Sequence, residues 1–385
     1  MKALHIFPAI ALIGCFIFPY SVSAATDPAA SVVMLRKSCN DGAGGTLNNC
    51  FTATNTLLDW VWNTRNPTAT APLLVDIGPG TFGSLSCPLG KGFVTFHGSG
   101  RGRTIFSGAS TPLDSGGRFE RCNQLVFEHL TISGKFIGVI WAGGGSSSWT
   151  DVEMLGSYSA WYDSVDLSSG NPCPGQEGTH RIFGSTMKVT TTGGEIGGGK
   201  LFLNSCGKNW IYASELLLDA PATSPSSSEF PGIISAGMGN EVHLYGSNLR
   251  LFSGAGSTLQ SMMAIAASNG AEVHVHGTGI DVIATKPINV VALSAGSGGM
   301  IHANESAYNM QTGAGGTITR IVNSGGHVNA PYIWERIPTA PLISVTGADM
   351  TTVTTGTSDG HPHLVIYDTS CISKWYDVVD RACRP

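Results

Sequence analysis

Residues 241–253 read EVHLYGSNLRLFS, and residues 272–284 read EVHVHGTGIDVIA. HRIFGSTMKV from His180 and NWIYASELLL from Asn209 state the same pattern earlier. MIHANESAYNM from Met300 and HVNAPYIWE from His327 state it more loosely. Each copy is two short alternating runs joined by a small residue, Gly or Ala, and then usually Ser or Thr. Alternation marks β-strand, because successive side chains leave a strand on opposite faces. The first apolar positions after the joints are Ile105, Leu130, Val152, Met187, Leu216, Leu249, Ile280, Tyr308 and Ile333. Their spacing runs from 22 residues (Leu130 to Val152) to 35 (Val152 to Met187). A unit restated at this period predicts a solenoid, in which each coil packs only on its neighbours.

A globular chain of 385 residues would divide into two or more domains. A solenoid instead extends one core along an axis, so residues 25–385 are expected to form a single all-β domain, a right-handed parallel β-helix of about ten coils. Gly is abundant at 51 residues, charged residues make up 12%, and the net charge is −5. Nucleic acid is excluded as a partner, since it demands clustered Lys and Arg. A neutral or weakly acidic polymer fits better.

Residues 1–24 read as a signal peptide: Lys2, then a mostly apolar run from Ile6 to Pro19, then Val22-Ser23-Ala24 before a cut at Ala25. The product is secreted or periplasmic, with no transmembrane segment left. Leu12-Ile13-Gly14-Cys15 also resembles a lipobox, which would leave a lipid anchor on Cys15, although Phe16-Ile17-Phe18-Pro19 is an unusual mature start. Without Cys15 an even set of cysteines remains, as disulfides in an oxidising compartment require. The expected pairs are Cys39 with Cys50, Cys87 with Cys122, Cys173 with Cys206, and Cys371 with Cys383.

Residues 54–63, TNTLLDWVWN, place Leu57, Leu58, Val61 and Trp62 at helical spacing. This short helix is expected to cap the first coil. Residues 158–179 read as a long irregular excursion and residues 220–231 as an inserted Pro/Ser-rich loop. Residues 373–382 are expected to form a small helix within a cap closed by the 371–383 disulfide.

The block VDIGPGTF from Val75, followed by FVTFHGSGRGRTIFSG from Phe93, resembles the opening of pectinesterases and of the wider pectin-lyase-like superfamily. The order is similar too: a capping helix, a strand ending in a Pro-Gly turn, a Gly-rich turn and a Thr-Ile strand. The resemblance spans about residues 54–206. It implies the right-handed parallel β-helix and a carbohydrate-active protein, a pectinesterase or a polysaccharide lyase or hydrolase if it turns substrate over. The family's catalytic signatures are not repeated. Gly156-Ser157-Tyr158-Ser159-Ala160-Trp161-Tyr162 is the nearest match to Gly-Tyr-Gln-Asp-Thr-Leu-Tyr, and Ser159 stands where the family has its aspartate. Glu195, in Gly194-Glu195-Ile196-Gly197, is the carboxylate nearest the second signature.

Two groups of residues are candidates for function. Asp151, Glu153, Asp163, Asp166 and Glu177 lie near Trp149, Trp161 and Tyr162. Paired carboxylates across a groove serve glycoside hydrolysis or calcium-assisted elimination, with aromatics holding the sugar. Asp151, Glu153, Asp163, Asp166 and Glu195 are therefore the catalytic candidates. The repeat supplies the second group. Val242 and Leu244 point inward, so His243 and Tyr245 point outward. Stacking like positions gives one outward row of Arg181, Trp210, His243, His274, His302 and His327. A second row holds Phe183, Tyr212, Tyr245, His276, Asn304 and Asn329. Trp149, Trp161, Tyr162, Arg181, Tyr212, Tyr245, His243 and His274 are the candidates for binding a polysaccharide or surface glycan. The alternatives are a degenerate or active carbohydrate enzyme and a non-catalytic glycan-binding or structural surface protein. No cofactor is assigned. Calcium would suit the carboxylates, but no spacing supports it. His274 and His276, with His243 one turn away, could bind a transition metal, as could His361 and His363, but histidines without a carboxylate or thiolate partner are a weak signal and no metal is assigned.

Overall fold

The computed structural model describes residues 27–43, 46–108, 115–164, 178–192, 199–223 and 229–330, with five short strands beyond. Residues 1–26, which hold the expected signal peptide and Cys15, and Asp166, Cys173, Glu177, Glu195, His361 and Cys371 lie outside the described residues.

The chain winds through three parallel ladders, as the repeat predicts. The first ladder includes Leu73–Ile77, Gly92–His97, Gly178–Phe183, Gly207–Tyr212, Glu241–Tyr245, Glu272–His276 and Met300–Asn304. The second includes Thr186–Thr192, Glu215–Ala222, Asn248–Gly256, Gly279–Ala284 and Ser306–Gln311. The third carries nine strands, one per turn, from Leu85–Cys87 to Thr317–Ser324. Two long strands, Asn123–Ser133 and Gly145–Gly156, run through the first two ladders without a break and join them into one sheet.

The joint noticed in sequence is the corner between the first and second ladders. One residue there adopts the left-handed conformation in seven successive turns: His129 (φ 54), Asp151 (53), Gly184 (53), Ala213 (46), Gly246 (55), Gly277 (55) and Glu305 (53). From Gly184 onward a buried hydroxyl follows: Ser185, Ser214, Ser247, Thr278 and Ser306. Each donates to the carbonyl two residues back, as Ser214 does to Tyr212 at 2.8 Å and Ser247 to Tyr245 at 3.2 Å. Three of them also accept from the preceding turn: Val152 N–H to Ser185 at 3.1 Å, Ser185 N–H to Ser214 at 3.1 Å, Ser214 N–H to Ser247 at 3.2 Å. The hydroxyls thus satisfy backbone groups that a tight buried bend would otherwise orphan.

The anchors Met187, Leu216, Leu249, Ile280 and Tyr308 are direct register partners. Leu130 and Val152 are partners too, but elsewhere the alignment shifts. Met187 pairs with Met154, Ile105 pairs with Thr131, and Ile333 pairs with Ser306. The outward rows shift by two residues at the last turn: Asn329 is the partner of His302, and His327 joins the column of Glu241, Glu272 and Met300.

The cap begins as expected, with an α-helix over Thr54–Asp59, and then widens into a π-helix over Trp60–Arg65. Leu57, Leu58, Val61 and Trp62 are buried. Two expected disulfides are formed, Cys39–Cys50 and Cys87–Cys122. Cys206 is also disulfide-bonded. The helix expected over 373–382 is replaced by strand: Trp375–Asp377 and Ala382–Cys383 belong to a four-stranded antiparallel sheet with Val353–Gly356 and His363–Tyr367. The irregular excursion expected over 158–179 also opens with a strand, Ser159–Ser164, in the third ladder.

A Cβ at Gly246 meets nothing within 4 Å, so a side chain there costs only backbone strain. Gly246→Ala should therefore lose about 1–2 kcal/mol in equilibrium urea unfolding. Ala213→Gly, the reverse change one turn away, should not. Equal losses in both would show that the corner conformation is not what the small residue serves.

Candidate functional site

Of the catalytic candidates among the described residues, Asp163 stands apart from Asp151 and Glu153. Asp163 is fully buried inside the solenoid, because positions 159, 161 and 163 of its strand point inward. Trp149 and Trp161 are equally buried and belong to the core, not to a sugar-facing wall. Trp149 stacks on Phe127 at 3.9 Å, and Trp161 stacks on Phe202 at 5.8 Å. Tyr162 is partly exposed beside Tyr158, with ring centroids 6.4 Å apart.

Asp163 belongs to an internal polar block that the sequence did not advertise. In one inward column of the first ladder, Leu73, Val94 and Leu125 give way to Ser147, His180 and Asn209 before Val242 restores apolar character. The third ladder does the same with Asp163, Asn204 and Ser235 between Trp141 and Ala267. Trp149 Nε1 donates to Ser147 Oγ at 2.7 Å, and Ser147 Oγ lies 2.8 Å from His180 Nδ1. Trp141 and Trp161 close on the His180 ring at 4.5 and 5.3 Å. Burial holds the His180 pKa down to about 3. Burial likewise pushes the Asp163 carboxyl well above its ordinary value, offset in part by the Asn209 amide. His180 is therefore neutral at pH 7, and burial favours the uncharged form of Asp163, as an apolar interior demands.

Asp151 and Glu153 lie on the outside, in a charged corner. Asp151 accepts from Arg101 Nε at 2.7 Å and lies 2.8 Å from His129 Nδ1. His97 Nδ1 is 3.0 Å from Glu128, and its ring lies edge-on to His129 at 5.3 Å. Thr131 Oγ1 donates to Glu153 at 3.0 Å. Sequence reading missed Arg101, His97, Glu128 and His129, because they come from different turns and only register unites them. His129 and Asp151 hold the left-handed corner position that later turns mostly give to Gly. Such strain in non-glycine residues is found where a side chain must be aimed.

The second group assembles as the repeat predicts. Arg181, Trp210, His243, His274 and His302 are successive register partners, and so are Phe183, Tyr212, Tyr245, His276 and Asn304. Ring centroids in the first row lie 5.4, 4.4 and 4.8 Å apart, and planes diverge by 14° at most. In the second row the distances are 4.9, 5.1 and 5.0 Å. This geometry corrects one expectation. The ring faces cover one another along the axis, so the surface meets solvent with ring edges: imidazole nitrogens and tyrosine hydroxyls. Phe183, 36% exposed, ends its column beside Thr150 and keeps one face without an aromatic neighbour. Glu241 and Glu272 flank the His column, each 3.1 Å from the imidazole two residues on. Burial lowers the pKa of His243, His276 and His302. For Glu241, burial works upward but is outweighed by Lys208 and His243. The signal for these acids was present in sequence: in a strand, Glu-x-His puts both side chains on one face.

The chain is thus a three-sided parallel β-solenoid with a charged corner and a ring-edged face. No family model and no curated protein matches it. Among solved structures, the crystal structure of pectate lyase Pel9A is similar at 12% identity, covering 81% of this chain and 82% of that one, with a TM-score of 0.39. So loose a superposition assigns neither reaction nor residues, and the fold assignment rests on the chain's own strand pairing. No helix among the described residues is long and apolar enough to cross a membrane.

Burial raises the Asp163 pKa on folding, so above about pH 4 the unfolded chain releases its proton before the folded one does, and stability should fall as pH rises toward the folded value. Asp163→Asn should therefore raise the melting temperature at pH 7 and lose that advantage near pH 4. His180 acts oppositely: the folded protein refuses its proton, so stability drops by about 1.4 kcal/mol per pH unit as pH falls from the ordinary histidine value toward 3. Melting curves from pH 3 to 8 on both chains measure this. A pH-independent difference would mean that Asp163 is ionised in the fold.

Proposed function

We propose that the protein is an exported β-solenoid that binds a polysaccharide or surface glycan along the ring-edged face of the first ladder. The supporting observation is the repetition of that face. Arg181, Trp210, His243 and His274, with Phe183, Tyr212, Tyr245 and His276 beside them, offer donors and acceptors at every turn, about 4.8 Å apart. A polymer of hydroxylated units meets such a grid as a series of equivalent subsites, and weak contacts then sum along the chain. Phe183 adds a ring face at one end for an apolar sugar face. The disulfides at Cys39–Cys50 and Cys87–Cys122 support export into an oxidising compartment.

One observation favours a second reading, a carbohydrate-active enzyme. Asp151 holds His129 while Arg101 stands beside both, and an imidazole oriented by a carboxylate is a general base.

Affinity electrophoresis through gels of neutral and uronic-acid polysaccharides, with parallel assays for reducing ends, unsaturated products and methanol, separates the readings. Retardation without turnover is expected. Tyr212→Ala with Tyr245→Ala should weaken retention by about tenfold or more, as loss of central aromatic contacts does. Turnover abolished by His129→Ala or Asp151→Asn would transfer the function to the charged corner. Neither retardation nor turnover would sink both.

A further inference from the structure

The Glu-x-His strands do more than line a face. Glu272 and His274 share the outward side of one strand, with Oε2 and Nε2 3.1 Å apart. His302 is the register partner of His274 on the next turn, its ring 4.8 Å away and 14° from parallel. One ligand atom from each of Glu272, His274 and His302 lies within 4.8 Å of the others, and all three residues are half-buried. We propose that these three side chains form a binding site for a divalent transition-metal ion of the zinc, copper or nickel class.

Three features carry the assignment. Stacking occupies the imidazole faces and turns their in-plane nitrogens outward, which is the direction in which a metal is bound. The donor set, two nitrogens and one carboxylate oxygen, suits zinc, copper and nickel, whereas calcium and magnesium take oxygen. The charge balance is also local to this turn. One strand earlier, Glu241 is the register neighbour of Glu272, and Lys208 neutralises it at 2.7 Å. Glu272 is followed in register by Met300. Two carboxylates therefore sit side by side, with the lysine beyond Glu241 and none on the Glu272 side of the column, and a cation at Glu272 completes the balance.

The site can close on an ion. The three ligand atoms stand somewhat wider than bonds of roughly 2.0–2.1 Å require. His302 is stacked on one face only, since its register partner on the far side is Asn329 and the nearest ring there, His327, is 6.4 Å away and tilted by 53°. A bound ion would clip two successive turns together. With three protein ligands it would keep one position open toward solvent, as in metal sites that bind an exogenous oxygen.

The test is calorimetric titration of the chelator-treated, full-length mature protein with zinc chloride. One saturable site is expected, with no comparable heat from calcium chloride. Glu272→Gln, His274→Gln and His302→Gln should each weaken zinc binding by more than about tenfold, while His97→Gln, at the charged corner, leaves it unchanged. Copper(II) bound at one equivalent should show superhyperfine splitting from two nitrogens by electron paramagnetic resonance, reduced to one in His302→Gln. Absence of a saturable site, or equal affinity in the wild type and the three variants, overturns the proposal. The Tyr212→Ala, Tyr245→Ala chain should retain zinc binding, so failure of the glycan reading and failure of the metal site are read separately.

Discussion

Backbone pairing between successive turns sets the rest of the structure. In a parallel ladder each strand repeats the direction of the one before, about 4.8 Å along the axis. A side chain therefore meets, above and below, the residues at its own register position. Apolar columns such as Val242, Val273, Ile301 and Val328 follow directly. So do the outer columns, where Trp210, His243, His274 and His302 stack as rings. Each such contact is worth about 0.5–1.5 kcal/mol, and it comes without any loop or ligand to organise it. The same rule gathers acids, which repel. The chain answers that at Glu241 with Lys208, and at both Glu241 and Glu272 with an imidazole on the same face.

How much of this could be read in advance depends on the corner. From Gly184 to Glu305 each turn marks its bend with a left-handed residue followed by Ser or Thr, and there the anchors and outer rows were legible almost residue by residue. In the turns before, His129 and Asp151 occupy the same backbone position without announcing it. His and Asp do not look like turn residues inside an alternating run, so Asn123–Ser133 and Gly145–Gly156 read as plain strands and the register slipped by two at Val152. The charged corner was hidden for the same reason. Its members are 22 and 31 residues apart in sequence and meet only once the turns are aligned.

The third ladder was the least legible, and the interior explains why. Alternation betrays a strand only when inward positions are apolar. Ser159, Asp163, Asn204 and Ser235 are inward and polar, so Ser159–Ser164 looked like part of a loop and its aspartate like a surface acid. The polar block spans the same three turns in two ladders, opposite the large rings of Trp141, Trp149 and Trp161. Its cost is moderated by neutrality. A buried carboxylic acid and a buried neutral imidazole forfeit hydration but avoid the far larger penalty of buried charge. A solenoid tolerates such a block because each turn contacts only its neighbours, so the apolar turns on either side are unaffected.

The outer face follows from the same stacking, and its chemistry differs from what a list of its residues suggests. Tyr, Trp and His in a row read as a platform for sugar rings. Aromatic platforms need free ring faces, however, and a parallel ladder stacks both faces of every ring except those at the ends of a column. What remains is a regular comb of hydroxyls, N–H groups and nitrogen lone pairs, held half-buried at fixed spacing. That surface forms hydrogen bonds and coordinates, and faces without an aromatic neighbour remain only at the column ends, as at Phe183, Trp210 and His276. The distinction has a structural consequence. Lengthening such a face by further turns adds directional polar subsites without adding apolar area, so it gains capacity for a repeating polar ligand while keeping exposed apolar surface small.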